Sequence, residues 1–366
     1  MTAPCAHIRV DALQHNYQRL CLAAGGAKVI AVIKGNAYGH GLLTVARALP
    51  DADAFAVARL ADALALSEAG IGQPIVLLGG VYDASELATA VGKRFELVVH
   101  CRPQLELLEA AAPARAVVWL EVDTGMHRLG IDPEECAAAL QRLSKCKAVG
   151  ELRLMTHLAC ADDRRDARTD QQVARFRSLL ASFDGPISVA NSPGVLGWPN
   201  SICAGVDPGR SFARCGIALY GISPFAGTIG AEFGLRPVMH FEAGLIAVTH
   251  VRAGECVGYG ATWTARRDTV IGIIAAGYGD GYSRFLPSGT PVLVNGRRAE
   301  LAGRVSMDLT AIDLGPDGAE QIGDPVTLWG DGLPVEEVAA SAGTIPYTLV
   351  TGVRHTLLEP AIAGDG

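Results

Sequence analysis

The sequence predicts a (β/α)8 barrel of the TIM type followed by a mostly β second domain. Three observations carry this. Short apolar runs alternate with helical or loop segments eight times over about 200 residues, the rhythm of parallel strands and their crossovers. Polar or unusual residues stand at the C-terminal ends of those runs, where barrels carry their active sites. After Ser223-Pro224 the texture changes to short strands separated by turn signals.

The first element is short. Ile8 and Val10 read as an edge strand, and Asp11 as the cap of a helix with Gln14 as capping-box partner. Leu13, Tyr17 and Leu20 fall on one face of that helix. The eight barrel runs are AVIK (31–34), AFAVA (54–58), PIVLLGG (74–80), LVVH (97–100), AVVWLEVD (116–123), LRLMTHL (152–158), PISVANS (186–192) and FARCGIALYG (212–221). Their chemically distinctive residues are Lys34, His100, Asp123, His157, Asn191 with Ser192, and Arg214. The second domain is read in GLIAVTHV, VIGIIAAGY, PVLVNGRRAELAGRVSMDLTAIDL and PVTLWG, with Asn295-Gly296 as a hairpin turn. Residues 1–230 are assigned to the barrel and 231–366 to the β-rich domain, with residues 1–10 associating with the latter.

Composition narrows the class. The 366 residues are 49% hydrophobic and only 6% aromatic, which fits an Ala/Val/Leu-rich globular chain and argues against disorder. A net charge of −7 without a dense Lys/Arg run argues against a nucleic-acid partner. The nine cysteines are scattered with no CxxC, which points to a reducing compartment and to no metal site. No stretch reaches the ~18 apolar residues of a membrane span, and the first residues carry no apolar leader, so the reading is cytoplasmic.

The stretch AVIKGNAYGHG (31–41) concentrates the chemistry. Lys34 follows a buried apolar run and precedes a glycine-rich turn. A strand-end lysine more often snorkels to the surface. Here Gly39, His40 and Gly41 leave backbone N–H groups for an anion, and Tyr38 adds a hydroxyl. Burial lowers a lysine pKa and makes the amine nucleophilic. A phosphate held beside a Schiff-base lysine points to pyridoxal phosphate.

VIKGNAYGHG closely resembles the cofactor-lysine motif of the pyridoxal-phosphate-dependent alanine racemases. The resemblance implies Lys34 as the Schiff-base lysine and Tyr38 as a phosphate ligand. It extends through EVDTGMHRLG (121–130), MTHLA, VANSPG, ARCGIALYG, GYGATW, GYGDGY (277–282), GRVSMD (303–308) and TIPY (344–347), in the family's order. It implies Arg128 as the anchor of the substrate carboxylate and His157 and Asn191 as cofactor contacts. Ser192, Gly216, Ile217 and Tyr347 would serve the phosphate. Arg214 would face the pyridine nitrogen; an arginine effectively never accepts a proton, so that nitrogen would stay unprotonated. Tyr259 would be the second base, contributed by the partner subunit of a homodimer. Tyr278, Met307 and Asp308 would lie at the substrate pocket or its entrance.

Two places depart from the family. Near the end, Thr348 and Glu359-Pro360 replace a Glu and a Val-Pro pair that members often have. Glu121 stands where many members have a lysine carrying a carbamate, which bonds the carboxylate-binding arginine. The expectation is that Glu121 supports Arg128 directly or through one bridging water or anion, although its side chain is shorter by about 3 to 4 Å. The activity implied is interconversion of L- and D-alanine by two-base proton exchange at Cα. Alternatives are a racemase of another small amino acid such as serine, or a basic amino-acid decarboxylase on the same fold. Arg214 and the Tyr259 motif argue against the decarboxylase. A cofactor carrier without turnover is disfavoured by the second domain, since carriers tend to be a barrel alone.

Overall fold

In the computed structural model, residues 3–353 and 357–360 are described. The chain begins with β1 (Cys5–Ile8), which belongs to the second sheet and not to the barrel. The barrel strands follow: β2 (Lys28–Val32), β3 (Ala54–Val57), β4 (Ile75–Leu77), β5 (Glu96–Val99), β6 (Ala116–Glu121), β7 (Val149–Met155), β8 (Ile187–Ser188) and β9 (Phe212–Cys215). All are parallel; β2 to β8 each pair with the next in sequence, and β9 pairs with β2. Isolated parallel bridges Ile187–Ser211 and Asn191–Arg214 join the ends of β8 and β9, so the ring nearly closes.

Every predicted barrel run overlaps a strand, but β2, β5 and β7 begin ahead of their runs, at Lys28, Glu96 and Val149, and every strand ends before its run does. Their apolar side chains are buried on both faces, as expected when a parallel sheet lies inside a ring of helices. The residues beyond each run's strand form the loops that carry chemistry. The N-terminal end of the barrel is closed by Trp119, which donates to Glu96 Oε2 at 2.7 Å and packs edge-on against Phe212 at 5.2 Å. Arg153 pairs with Glu96 at 3.0 Å and lies 5.0 Å over both rings.

Two expectations at the N-terminus are corrected. Val10 opens a helix (Val10–Ala23), and β1 is not an edge strand: it lies between β10 (Met239–Val251), antiparallel, and a C-terminal strand at Leu357–Pro360, parallel. Nor does Asp11 cap that helix. Arg9 takes the cap position, and Asp11 sits in the first turn, where its charge suits the helix N-terminus and pairs with Arg9. Gln14 instead donates to Ala48 O at 3.0 Å. Leu13, Tyr17 and Leu20 share the buried face.

After β10 come β11 (Cys256–Val257) and β12 (Trp263–Thr264), a small ribbon of their own. β13 (Thr269–Ile274), β14 (Pro291–Val294), β15 (Arg297–Leu301), β16 (Thr310–Gly315), β17 (Pro325–Trp329) and β18 (Leu357–Pro360) complete the second sheet. Its order is β13-β16-β15-β14-β17-β10-β1-β18, with an additional β10–β13 pairing. A bulge between Leu245 and Ala247 bends β10, so its first half meets β1 and β17 and its second half meets β13. Val294 pairs with Arg297 around Asn295 (φ 49°) and Gly296 (φ 77°), the two positive φ values of a type I′ hairpin. Two helices, Val335–Ser341 and Pro346–Gly352, then return to the mouth of the barrel.

Candidate active site

A cavity of about 1130 Å³ opens at the C-terminal end of the barrel strands. Of the residues singled out from the sequence, Lys34, Tyr38, Glu121, Arg128, His157 and Arg214 line it. So do Asn191, Ser192, Gly216, Ile217 and Tyr347.

Lys34 is not the last residue of its strand. β2 ends at Val32, and Lys34 starts a tight turn in which Gly35, Asn36, Ala37 and Tyr38 all have φ between 53° and 62°. A left-handed turn costs about 1–2 kcal/mol per non-glycine residue, so this one is held by its surroundings. Ala37 N–H donates to Ile33 O at 2.9 Å, and Asn36 Oδ1 accepts from Leu42 N–H at 2.9 Å. Gly39 (φ 83°) closes the turn against the helix Pro346–Gly352; a Cβ there would lie 2.0 Å from Val350 O. The turn leaves Lys34 half-buried. Burial, then the charges of Arg128 and Arg214, lower the pKa of its amine, against a smaller opposing effect of Glu121.

Tyr38 is buried, yet its hydroxyl has no hydrogen-bond partner among the described residues and lies at the cavity wall. Burial raises the phenol to about 12. The Tyr347 ring lies 5.9 Å away. Ser192 opens a short helix whose cap is Asn191, with Asn191 Oδ1 accepting from Gly194 N–H at 3.1 Å. Ser192 Oγ accepts from Gly216 N–H at 2.9 Å and Ala218 N–H at 3.3 Å. Ile217 starts the 3-10 turn Ile217–Tyr220, whose first N–H groups have no partner within the turn. Hydroxyls and N–H groups thus converge at one end of the cavity.

Arg214 is buried at 4% exposure within β9, and no carboxylate pairs with it among the described residues. One nitrogen donates to Ser188 Oγ at 2.5 Å, and the other to Thr156 O at 2.6 Å. The latter also lies 3.3 Å from His157 Nδ1, which therefore acts as an acceptor. Burial brings the guanidinium down to about 10, still charged at neutral pH. Burial, then Arg214, Arg128 and Lys34, push His157 well below its ordinary pKa, so it is neutral. Thr156 and Ser188, which fix Arg214, were not legible as site residues.

Arg128 lies at the end of a loop that Asp123 organises. Asp123 Oδ1 accepts from the N–H groups of Gly125, Met126 and His127 at 2.9 to 3.0 Å. Sequence reasoning marked Asp123 as a strand-end residue without finding this role; an Asp followed by Thr-Gly is its signal. Glu121, the last residue of β6, is buried at 6% exposure. The expected direct contact is absent: among the described residues no hydrogen bond or ion pair joins Glu121 to Arg128. The short side chain stays at the strand end, while Arg128 is exposed at the loop's far end. Burial raises the Glu121 pKa, opposed by the charges of Arg214, His100 and Arg128 in that order.

Tyr259, Tyr278, Met307 and Asp308 do not line this cavity. They gather elsewhere, on a surface of the second domain. Tyr259 sits in the turn between β11 and β12, and Gly258 and Gly260 of that turn pack against Arg304. Tyr278 N–H donates to Ser306 O, and Gly279 N–H to Met307 O at 2.8 Å. Tyr259, Tyr278 and Met307 are 67%, 39% and 56% exposed. Among the described residues no cluster of His, Cys, Asp and Glu is placed to hold a metal, and no helix is long and apolar enough to cross a membrane.

Two family models match the chain: the alanine racemase N-terminal domain over residues 8–224 and the alanine racemase C-terminal domain over 238–359. The chain is 50% identical to an alanine racemase of Aeromonas hydrophila over 353 residues, covering 96% of this chain and 97% of that one. It is also 50% identical to an alanine racemase of Vibrio cholerae, covering 96% of each. Among solved structures, the biosynthetic alanine racemase of Pseudomonas aeruginosa superposes with a TM-score of 0.94 at 44% identity, covering 99% of this chain and 100% of that one.

Proposed function

The chain belongs to the alanine racemase family and acts as an alanine racemase, and from that premise we propose how its residues divide the work. Lys34 holds pyridoxal phosphate and exchanges the Cα proton on one face of the substrate. Tyr259 of the partner subunit in a homodimer exchanges it on the other. The observation that carries this reading is the separation just described. Lys34 lines a deep cavity, while Tyr259 is exposed on a different surface of the same chain. A racemase needs one proton donor and acceptor on each face of Cα, and a second copy supplies the missing one.

The residues fit pyridoxal phosphate. Among the described residues the Tyr38 hydroxyl at the cavity wall has no partner, and a Cβ at Gly216 would fill the space beside it, 2.5 Å from the oxygen. Tyr38, Ser192, Gly216, Ile217 and Tyr347 would hold the phosphate, with Asn191 and His157 alongside. When bound, the cofactor supplies an aldehyde that captures the amino acid and a ring that withdraws electrons from Cα. Arg214 would present a permanent charge to the ring nitrogen and deny it a proton. Burial makes the Lys34 amine a better proton acceptor at neutral pH than a solvated lysine.

Arg128 binds the substrate carboxylate, and its loop is set by Asp123. Glu121 acts by its charge on the Lys34–Arg128–Arg214 cluster, with a water or anion between it and Arg128. Tyr278, Met307 and Asp308 of the partner subunit line the substrate's way in. In this division residues 1–230 bring the cofactor site, joined by Tyr347, and residues 231–366 the second base. The enzyme works in the cytoplasm, supplying D-alanine for peptidoglycan or serving alanine catabolism.

Purified protein supplied with each L-amino acid in turn should form D-alanine from L-alanine and do so in reverse. Faster turnover of serine than of alanine would contradict the substrate assignment. Borohydride reduction should fix the cofactor to the peptide containing Lys34, and label on another lysine would contradict the site.

A further inference from the structure

Behind the Lys34 turn, between the barrel and the second sheet, lies a second cavity of about 20 Å³. His40, Tyr220, Trp329 and Glu336 are among its walls. Two buried polar atoms of residues in that lining have no hydrogen-bond partner among the described residues: His40 Nε2 and Trp329 Nε1. They come from different domains, His40 from the cofactor turn and Trp329 from the end of β17.

Their chemistry is complementary. His40 Nδ1 lies 3.1 Å from Ala37 O and 2.9 Å from Tyr38 O. Carbonyls only accept, so Nδ1 carries the proton and Nε2 presents a lone pair. Trp329 Nε1 can only donate. The imidazole is locked in place by Tyr220, stacked at 4.4 Å between centroids, and Trp329 by Phe241 at 4.7 Å. The atoms do not bond one another directly. A buried polar pair of this kind left unmade is costly, and a polar cavity holds a water once it offers about 10 to 15 Å³ and two or more partners.

We propose that one buried water fills this cavity, accepting from Trp329 Nε1–H and donating to His40 Nε2, and that through it the second sheet braces the turn carrying Lys34 and Tyr38. Glu336, in the same wall, offers an acceptor for the water's other hydrogen. His40 is then a positioning residue, acting through the carbonyls of Ala37 and Tyr38. The strained turn gains a support from a domain it does not belong to.

A high-resolution crystal structure of the purified protein should show one ordered water within hydrogen-bonding distance of both atoms. An empty cavity, or a direct His40–Trp329 bond, overturns the proposal. In solution, Trp329→Phe removes only the remote donor. Amide exchange over residues 37–41 should then quicken by about tenfold, while β5 at the barrel floor stays unchanged. Unchanged exchange at the turn overturns the bracing role. Should Trp329→Phe not fold, ¹⁵N shifts of His40 in the unaltered protein decide: the Nδ1–H tautomer is expected, and an Nε2–H tautomer contradicts the proposal.

Discussion

Gly216 lies so close beneath Tyr38 that a Cβ at position 216 would sit 2.5 Å from the tyrosine oxygen. Substitution would press directly on the Tyr38 hydroxyl. Gly216→Ala should bind pyridoxal phosphate about tenfold more weakly, near 1.4 kcal/mol, by fluorescence titration. Unchanged affinity would remove the Tyr38 hydroxyl from the phosphate site.

Lys34 provides a pH test. Its folded pKa lies below the 10.5 of a free lysine. In the window between the two values the unfolded chain binds more protons, so stability rises with pH there. Below that window the strain of the buried charge is fully present. Lys34→Met apoprotein should thus be more stable than unaltered apoprotein at pH 7, and the difference should shrink as pH rises toward 10.5. Denaturant melts across pH measure this; a difference that does not vary with pH would mean the amine is not strained.

Glu121 raises the Lys34 pKa, against burial and two arginines. Glu121→Gln removes that negative charge, so the Lys34 pKa should fall further. The acidic limb of the kcat profile should move to lower pH, with cofactor affinity retained. A profile that does not move would leave Glu121 without influence on Lys34.

Asp123 supports Arg128 through three backbone N–H groups. Asp123→Ala should release the loop and raise KM for alanine by about tenfold, since charged hydrogen bonds contribute about 1.5–3 kcal/mol each. Asp123→Asn keeps an acceptor oxygen and should recover most of the loss. A KM unchanged in Asp123→Ala would place the control of Arg128 elsewhere.

The barrel was legible because parallel strands buried on both faces read as plain apolar runs, and each of the eight overlaps its strand. Strand ends were not legible. AVIK reads through Lys34 as one run, yet the chain leaves the sheet at Val32, because Asn36, Ala37 and Tyr38 take a left-handed turn held by distant partners such as the helix Pro346–Gly352. β1 was misread as an edge because its neighbours, β10 and β18, lie more than 200 residues away in sequence. The Glu121–Arg128 contact failed for a reason of reach: a spacing of seven residues says nothing of how the loop places the arginine. Lys34, Tyr38 and Arg214 could be named from the sequence, whereas Thr156 and Ser188, which hold Arg214, are common residues with no local signature.

In the division of work proposed above, each active site takes Lys34 from one subunit and Tyr259 from the other. Lys34→Ala and Tyr259→Ala proteins, each inactive alone, should be mixed under conditions in which subunits exchange. A mixed dimer then holds one doubly altered site and one intact site. Racemisation should return to about a quarter of the unaltered level in an equal mixture, since half the dimers are mixed and each has one working site. No recovery despite proven exchange would contradict the account, placing Tyr259 in the same site as its own Lys34 or outside the reaction.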